Sequence, residues 1–175
     1  MSKEAGRHSK IVLVGFMGTG KSTVSRLLAE QLGYARFDTD EEIERSQGKR
    51  VAELFAEIGE AGFRDLESGI IQELLSRKEP AIIATGGGAV LREVNREAML
   101  GGSLVVALKA SAEQIIARVQ SDSSRPLLQG DVAANVNRIM EQRKHAYDFA
   151  HLVLDTTSLN VHAVCATIIQ TRETK

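Results

Sequence analysis

The chain has 175 residues, of which 43% are apolar and 26% charged, and its formal net charge is −1. This balance is typical of one globular domain and excludes bulk electrostatic affinity for nucleic acids or acidic membranes. No apolar run reaches membrane-spanning length, and residues 1–10 lack the apolar core of a secretory signal. The single cysteine, Cys165, cannot form an internal disulfide, and we interpret it as a core residue in a reducing compartment.

Short apolar runs alternate with helical patterns along the chain. Strands are predicted at 11–14, 34–38, 81–85, 103–109 and 151–155. Helices are predicted to begin near Lys21, Thr39, Val51, Phe63, Ser111 and Val161. Thr39 and Glu42 form a capping-box pattern, and Gly33 and Gly59 are predicted helix stops. Because the strands lack polar alternation and helices separate them, we expect strands buried on both faces in a five-stranded parallel sheet, within a three-layer α/β sandwich.

Two segments exceed what such a sheet needs. Residues 40–76 place three helical pieces where one would connect two strands, and residues 121–131 form a polar, proline-bearing stretch after a helix. Open α/β folds bind ligands at the carboxyl edge of the sheet, and long irregular segments there often act as lids. We therefore expect a single domain, 1–175, with a substrate-binding helical insertion at 40–76 and a lid at 121–131.

The first motif with a chemical meaning is "GFMGTGKST", residues 15–23. It matches the phosphate-binding loop G-x-x-x-x-G-K-[ST] and lies between a predicted strand and a predicted helix. Glycines let backbone N–H groups converge on an anion, Lys21 adds a full charge, and the Ser22 hydroxyl can ligate Mg²⁺. The motif predicts binding of a nucleoside triphosphate. It fits a GTPase switch, a motor, a nucleotide kinase or a small-metabolite kinase, although the missing Asn-Lys-x-Asp motif counts against the switch.

Two acidic residues follow the second predicted strand. Asp38 and Asp40 are two residues apart, and side chains at that spacing in an extended segment project to the same side. One interpretation is that they only cap the next helix. The other is that both carboxylates lie beside the phosphate-binding loop, where one would meet a metal ion and the other a neutral polyol.

Two more stretches allow a structural and a functional interpretation. In "FRDLE", Arg64 and Glu67 share a helical face, where an exposed ion pair would contribute little to stability. An arginine above the sheet edge can instead hold a carboxylate through two hydrogen bonds. In "ATGGG", Gly86, Gly87 and Gly88 form either a loose loop or a surface that leaves room for a ligand close to the backbone.

Taken together, these motifs resemble one kinase family. The stretches "GFMGTGKST", "DTD", "GFRDLE", "ATGGG", "SRPLL" and "QRKHAY" occur in the order and approximate spacing found in shikimate kinases. The resemblance implies a P-loop NTPase fold of the nucleoside-monophosphate-kinase type. It also implies transfer of the γ-phosphate of ATP to the 3-hydroxyl of shikimate, with Mg²⁺, on the route to chorismate and the aromatic amino acids.

The same resemblance assigns roles on the nucleotide side. It places the ATP phosphates on Gly18, Thr19, Gly20, Lys21, Ser22 and Thr23. It places Mg²⁺ beside Ser22 and Asp38, and the adenine ring against Arg118. Arg125, in "SRPLL", is implied to be a lid arginine that binds ATP and reaches the transferring phosphate.

On the acceptor side, the resemblance implies that Asp40 binds the shikimate hydroxyls and orients the attacking oxygen. Arg64 and Arg143 would bracket the shikimate carboxylate, and residues 86–88 would line the floor beneath the ring. The expected catalytic residues are Lys21, Asp40 and Arg125.

The chain departs from the family pattern in two places. The family commonly shows Arg-x-Pro-Leu-Tyr around the second carboxylate-binding arginine. This chain keeps Arg143 and Tyr147 but has His145 and Ala146 in place of Pro-Leu, which leaves the local backbone and the role of Arg143 open. After the last strand, no proline stands at the usual adenine-edge position, so the adenine contacts there are not assigned.

Two other functions fit part of the pattern. Another small-molecule kinase, for example a gluconate or nucleotide kinase, would share the phosphate-binding loop, but aromatic residues for a base pocket are scarce at 4%. A non-catalytic ATP-binding regulator would not need intact Lys21, Asp38, Asp40 and Arg125. We therefore expect a monomeric, cytoplasmic enzyme whose partners are ATP and shikimate, without nucleic acid or membrane.

Overall fold

The computed structural model describes residues 8–120, 130–158 and 160–175. Within them the chain forms five strands: β1 (Lys10–Gly15), β2 (Ala35–Asp38), β3 (Ala81–Ala84), β4 (Leu104–Lys109) and β5 (Leu152–Asp155). Their order in the sheet is β2-β3-β1-β4-β5, and every neighbouring pair is parallel. The predicted five-stranded parallel sheet is confirmed.

Helices of the described ranges connect these strands. They are α1 (Lys21–Leu32), α2 (Thr39–Gln47), α3 (Val51–Ser76), α4 (Glu93–Leu100), α5 (Ala112–Val119), α6 (Val132–Gln142) and α7 (Val161–Thr174). Gly33 ends α1 in the left-handed conformation, as predicted. Gly59 has φ 71° and ψ 178°, so it divides α3 into two helical pieces. With α2, these give the three pieces predicted for 40–76.

The central strands separate two apolar cores. Alternate residues of β1 enter opposite clusters: Val12 packs on one face of the sheet, whereas Ile11 and Leu13 pack on the other. β1 and most of β4 are fully buried, which explains why these strands lack polar alternation. Cys165 lies in the second core, and burial raises the pKa of its thiol to about 11, as suits a core residue.

The edge strands depart from the prediction of burial on both faces. In β5, half-buried and exposed positions alternate, and Val153 is 44% exposed. All of β2 is half-buried. Both are edge strands with a neighbour on one side only, which leaves the other side open. The apolar residues of a strand do not by themselves show whether it lies at the edge or in the centre of the sheet.

Two helices were missed from the sequence. In α6, Val136 and Ile139 are buried and one helical turn apart, so a short periodic signal was present. In α4, the buried residues are Asn95 and Met99, and the Asn95 side-chain amide donates to the Ala89 carbonyl at 2.9 Å. A helix held partly by a buried amide has little apolar periodicity.

The helices α2 and α3 pack on each other around a third apolar cluster. Ile43, Leu54 and Phe63 are its buried members. The second part of α3 also contributes Ile71 and Leu74 to the core on the sheet, so this third cluster is joined to the main core through α3. Within the described ranges, no helix is long and apolar enough to cross a membrane.

Candidate active site

The functional motifs of the sequence meet at the carboxyl edge of the sheet. β1 ends at Gly15, β2 at Asp38 and β3 at Ala84, and the residues that follow each strand line one cavity of about 630 Å³. Strand β1 lies between β3 and β4 in the sheet. Strands β2 and β3 lie on one side of it and β4 and β5 on the other, so the strand order changes direction at β1. Ligands of open α/β sheets bind at this position. The volume of the cavity is within the usual range for small-molecule sites.

The loop after β1 forms a backbone cradle. Gly15, Gly18 and Gly20 have positive φ angles, and a Cβ on Gly15 would overlap the Leu108 carbonyl. The Lys21 ammonium lies 2.6 Å from the Gly15 carbonyl oxygen and 2.8 Å from that of Phe16, which holds it over the loop. Gly20, the N-cap of α1, provides no side-chain cap, and the first turn of α1 contains no acidic residue. Such a helix start favours an anion.

Two residues brace this cradle from later segments. The Arg118 guanidinium donates to the Gly18 carbonyl at 2.6 Å. The Thr156 hydroxyl, just after β5, lies 2.8 Å from the Thr19 carbonyl oxygen and 3.1 Å from that of Lys109. Thr156 and Val161 also line the cavity. Sequence reasoning missed both, because no local pattern connects them to a loop about 140 residues earlier.

Asp38 and Asp40 both line the cavity. The prediction that they lie on one extended segment is wrong. Asp38 ends β2 and is the N-cap of α2, where its Oδ1 accepts from the N–H groups of Asp40 and Glu41. Asp40 already belongs to the first helical turn, so the pair does not lie on one extended segment. Burial is the main cause that raises the pKa of Asp38. Its other oxygen lies 3.7 Å from the guanidinium of Arg36.

The predicted capping box is wrong by one residue. Thr39 does not cap α2, because its hydroxyl accepts a hydrogen bond from the Gly86 N–H at 3.0 Å. Asp38 takes the capping position instead. The contact joins the start of α2 to the glycine loop after β3, so these two segments are fixed to each other.

The three consecutive glycines make room for charged side chains. A Cβ on Gly86 would lie 3.0 Å from a carboxylate oxygen of Asp40 and 3.0 Å from Oε2 of Glu67. A Cβ on Gly88 would overlap the guanidinium of Arg64. The 86–88 loop has no positive φ angle, so close approach, rather than backbone conformation, requires glycine here. The loose-loop interpretation is wrong.

Arg64 and Glu67 form an ion pair, but not an exposed one. The Nη1 of Arg64 donates to Oε1 of Glu67 at 2.9 Å, and the residues are 7% and 0% exposed. Burial is the main cause that raises the pKa of Glu67 to about 7, against the opposing effect of Arg64. Oε2 of Glu67 has no hydrogen-bond partner in the described part of the chain. The surface-pair interpretation is therefore wrong, and the arginine lies inside the cavity wall.

Arg143 reaches the same cavity from the end of α6. It is the C-cap of this helix, is 6% exposed, and its Nη1 lies 3.5 Å from the Cβ position of Gly87. The unusual His145 and Ala146 lie in a series of turns that begins at Arg143, where the Ala146 N–H donates to the Arg143 carbonyl at 2.9 Å. Helix α6 and these turns thus carry the guanidinium to the site without the family proline.

Arg125 and most of the predicted lid lie outside the described residues, since the structure describes nothing between 120 and 130. The other predicted site residues line the cavity. They are Gly18, Thr19, Gly20, Lys21, Ser22, Thr23, Asp38, Asp40, Arg64, Gly86, Gly87, Gly88, Arg118 and Arg143.

The donor set fits magnesium bound together with phosphates. Among the described residues, no cluster of three His, Cys, Asp or Glu side chains could hold a metal ion by itself. Ser22 and Asp38 offer one hydroxyl and one carboxylate on the cavity wall. Mg²⁺ is usually held by one or two protein ligands, substrate phosphates and water, so this sparse oxygen set is compatible with it.

Comparisons with known proteins agree with this geometry. The family profile described as shikimate kinase matches residues 17–173. The chain is 40% identical to a shikimate kinase of Chromobacterium violaceum over 97% of its length and 91% of the relative. It superimposes on the shikimate kinase of Acinetobacter baumannii, solved in complex with shikimate, with a TM-score of 0.88, 37% identity, and coverage of 93% of this chain and 91% of that one.

A more distant likeness separates fold from family. A gluconokinase from Sinorhizobium meliloti covers 96% of both chains with a TM-score of 0.63, but only 20% identity. That likeness shows the fold alone. The profile match and the 40% identity extend over nearly the whole chain. The chain therefore belongs to the shikimate kinase family.

Proposed function

We propose that the cavity at the carboxyl edge is the site where this shikimate kinase transfers the γ-phosphate of ATP to the 3-hydroxyl of shikimate. The observation that carries the proposal is the convergence of a phosphate cradle with two buried arginines and Asp40 around one cavity. Paired guanidinium groups suit a carboxylate, and a neighbouring carboxylate suits hydroxyl groups. Shikimate carries both, and the Acinetobacter baumannii relative was solved with it.

The nucleotide side uses the cradle after β1. In this proposal the phosphates lie on Gly18, Thr19, Gly20, Lys21, Ser22 and Thr23, at the start of α1. Lys21 contributes charge to the β- and γ-phosphates, and the adenine ring packs near Arg118. The Arg118 bond to the Gly18 carbonyl supports the rim position of this side chain.

Magnesium is held, in this proposal, by the Ser22 hydroxyl and Asp38 beside the phosphates. When bound, the ion neutralises charge on the transferring phosphate. The capping contacts of Asp38 fix its carboxylate at the end of β2, which supports this assignment. Turnover that persists in the presence of EDTA would contradict a magnesium requirement.

The acceptor side is formed by α3, the glycine loop and the end of α6. Arg64 and Arg143 bind the shikimate carboxylate, and the 86–88 loop forms the floor beneath the ring. Asp40 accepts hydrogen bonds from the ring hydroxyls and sets the attacking oxygen in line with the γ-phosphate. Support comes from the burial of both arginines and from their contacts to the glycine loop.

Catalysis in this site consists of positioning and charge neutralisation. Phosphoryl transfer spreads negative charge over the equatorial oxygens of the transferring group, so it needs fixed positive charge more than a strong base. Lys21 supplies such charge from the cradle and Arg125 from the lid. Asp40 orients the hydroxyl and takes its proton late in the transfer. Closure of the 121–131 lid excludes water, which limits hydrolysis of ATP.

A coupled ADP-release assay with a panel of acceptors tests the proposed function. We expect the highest kcat/KM with shikimate, and much lower values with gluconate, a nucleoside monophosphate and shikimate reduced at C1 to the alcohol. A higher kcat/KM with gluconate or a nucleotide would contradict the proposal. ATP binding without any acceptor turnover would favour the regulator instead.

The monomeric state and the cytoplasmic location stay predictions. The buried, unpaired Cys165 is compatible with a reducing compartment. Size-exclusion chromatography with light scattering measures the oligomeric state directly, and a dimer mass would contradict the prediction of a monomer.

A further inference from the structure

We propose that Tyr147 is a positioning residue that couples Arg143 to the glycine loop and thereby sets the affinity for the acceptor. The inference rests on the proposed function of the site. It concerns how the acceptor side is held in shape, since Tyr147 is not one of the residues that line the large cavity.

The Tyr147 hydroxyl lies at the junction of two acceptor-side groups. It donates its proton to the carbonyl of Gly87 at 2.8 Å, across 60 residues of sequence. The Arg143 guanidinium lies beside the same glycine, with Nη1 3.5 Å from the Cβ position of Gly87, and its charge acts on the Tyr147 phenol, where it opposes the rise in pKa that burial causes. A phenol has one proton to donate and an oxygen that accepts, so the hydroxyl can donate to Gly87 and still offer its oxygen to the neighbouring guanidinium. The hydroxyl thus links the guanidinium to the loop that forms the floor.

The ring of Tyr147 is packed away from the large cavity. The residue is 5% exposed, and it lines a second cavity of about 200 Å³ behind the phosphate-binding loop, beside Phe16 and Met140. Arg143 lines both cavities. Tyr147 therefore acts on the acceptor site through Arg143 and Gly87, because its own ring faces the other cavity.

Other contacts of this turn are poor substitutes for the hydroxyl. Asp148 pairs with Lys109 at 3.3 Å and with His145 at 2.9 Å, but all three side chains are more than 40% exposed. Exposed pairs contribute little to stability. The bond to Gly87 is partly buried, and loss of its donor leaves the carbonyl without this partner. Burial also raises the pKa of Tyr147 above its ordinary value, so the donor stays protonated at neutral pH.

The test compares Tyr147→Phe with Tyr34→Phe in the full chain. Tyr34 is the control tyrosine, because its hydroxyl accepts from Arg172 of α7 in a contact that the catalytic proposal does not use. Titration calorimetry measures the Kd for shikimate and for ATP separately, and steady-state kinetics gives both KM values. Tyr147→Phe should raise the Kd and KM for shikimate about five- to tenfold and change the Kd for ATP less than twofold. Tyr34→Phe should change neither.

A double-mutant cycle tests the route through Arg143. If the hydroxyl acts through this guanidinium, Tyr147→Phe should cost less than half as much in an Arg143→Ala background. Fully additive losses would overturn the coupling. So would an unchanged Kd for shikimate in Tyr147→Phe, or equal losses for ATP and shikimate that follow a lower Tm.

The wild-type measurement separates this inference from the proposed function. Wild-type protein that does not bind or phosphorylate shikimate would overturn both. Wild-type protein that does, beside a Tyr147→Phe variant with unaltered shikimate affinity, would overturn the role of Tyr147 alone.

Discussion

The two halves of the cavity are built in different ways. The phosphate side is one contiguous loop whose geometry comes from glycine backbone and from the start of α1. The acceptor side brings charged side chains from α2, α3 and the end of α6 onto a glycine loop, with Arg64, Glu67 and Arg143 almost fully buried. The proposed phosphate side relies on backbone geometry, whereas the proposed acceptor side relies on buried charged side chains, whose desolvation is costly.

The largest expected effect is on the phosphate side. Lys21→Met should reduce kcat about 10²–10³-fold, because it removes a positive charge that acts on the transition state. The fold should remain, since the ammonium donates to the Gly15 and Phe16 carbonyls of its own loop and lies outside the apolar clusters of the core. Steady-state kinetics and circular dichroism test this, with Lys175→Met as a control at the chain terminus. Near-normal turnover in Lys21→Met would contradict the role of the cradle.

The next effect sharpens the contrast on the acceptor side. Arg64→Lys should lower kcat/KM for shikimate by about ten- to more than a hundredfold, since an ammonium cannot make a two-pronged contact worth roughly 1.5–3 kcal/mol. ATP affinity without shikimate should barely change. Arg45→Lys is the matched control, because Arg45 also pairs with a glutamate three residues away but is exposed.

The acceptor itself provides a second check on Arg64. With shikimate reduced at C1 to the alcohol, native turnover should be poor and the Arg64→Lys loss smaller. Equal losses on both acceptors would show that Arg64 does not bind the carboxylate, and the buried pair with Glu67 would then be only structural.

The pH dependence of stability should reveal the buried carboxyl. The pKa of Glu67 is raised from 4.5 to about 7 in the folded protein, so the folded state binds more protons than the unfolded state between these values. This contribution to stability is present at low pH and is lost as the pH rises through about 7. Gln mimics the protonated form and does not titrate. The free energy of unfolding of Glu67→Gln, taken relative to that of wild type, should therefore rise by about 2 kcal/mol from pH 5 to pH 8.

Urea unfolding at several pH values measures this difference. Glu60→Gln is the control, because Glu60 lies 3.4 Å from the same arginine but its side chain is 54% exposed. The difference in free energy of unfolding between Glu60→Gln and wild type should be nearly independent of pH. Parallel profiles for wild type and Glu67→Gln would show that Glu67 does not titrate in this range.

The smallest expected effect concerns the glycine loop. Gly88→Ala places a methyl group where the Arg64 guanidinium lies, so the arginine must shift. We expect the Kd for shikimate to rise about three- to tenfold, with ATP affinity unchanged. Gly102→Ala is the control, because nothing lies within 4 Å of the added Cβ. Similar effects of the two variants on shikimate binding would contradict the close-approach explanation.

Prediction from the sequence succeeded where the signal was local. The apolar runs of β1, β3 and β4 indicated buried parallel strands, and one nine-residue motif indicated the phosphate cradle. Prediction from the sequence was wrong where contacts with distant segments determine the local structure. Three of the four residues of β5 are apolar, yet an edge position leaves Val153 exposed. The capping box at Thr39 was wrong because a distant N–H, that of Gly86, takes its hydroxyl.

The sequence by itself determined the parallel sheet and the phosphate-binding loop, because periodicity and motif spacing are properties of neighbours along the chain. The charged residues proposed for the edge of the sheet came in part from the family resemblance. Tertiary structure alone decided that the Arg64–Glu67 pair is buried and that Tyr147 reaches Gly87. The glycines at 86–88 are needed for side chains that arrive from other elements. Burial and long-range contacts depend on which segments the sheet brings together, and no local pattern encodes that arrangement.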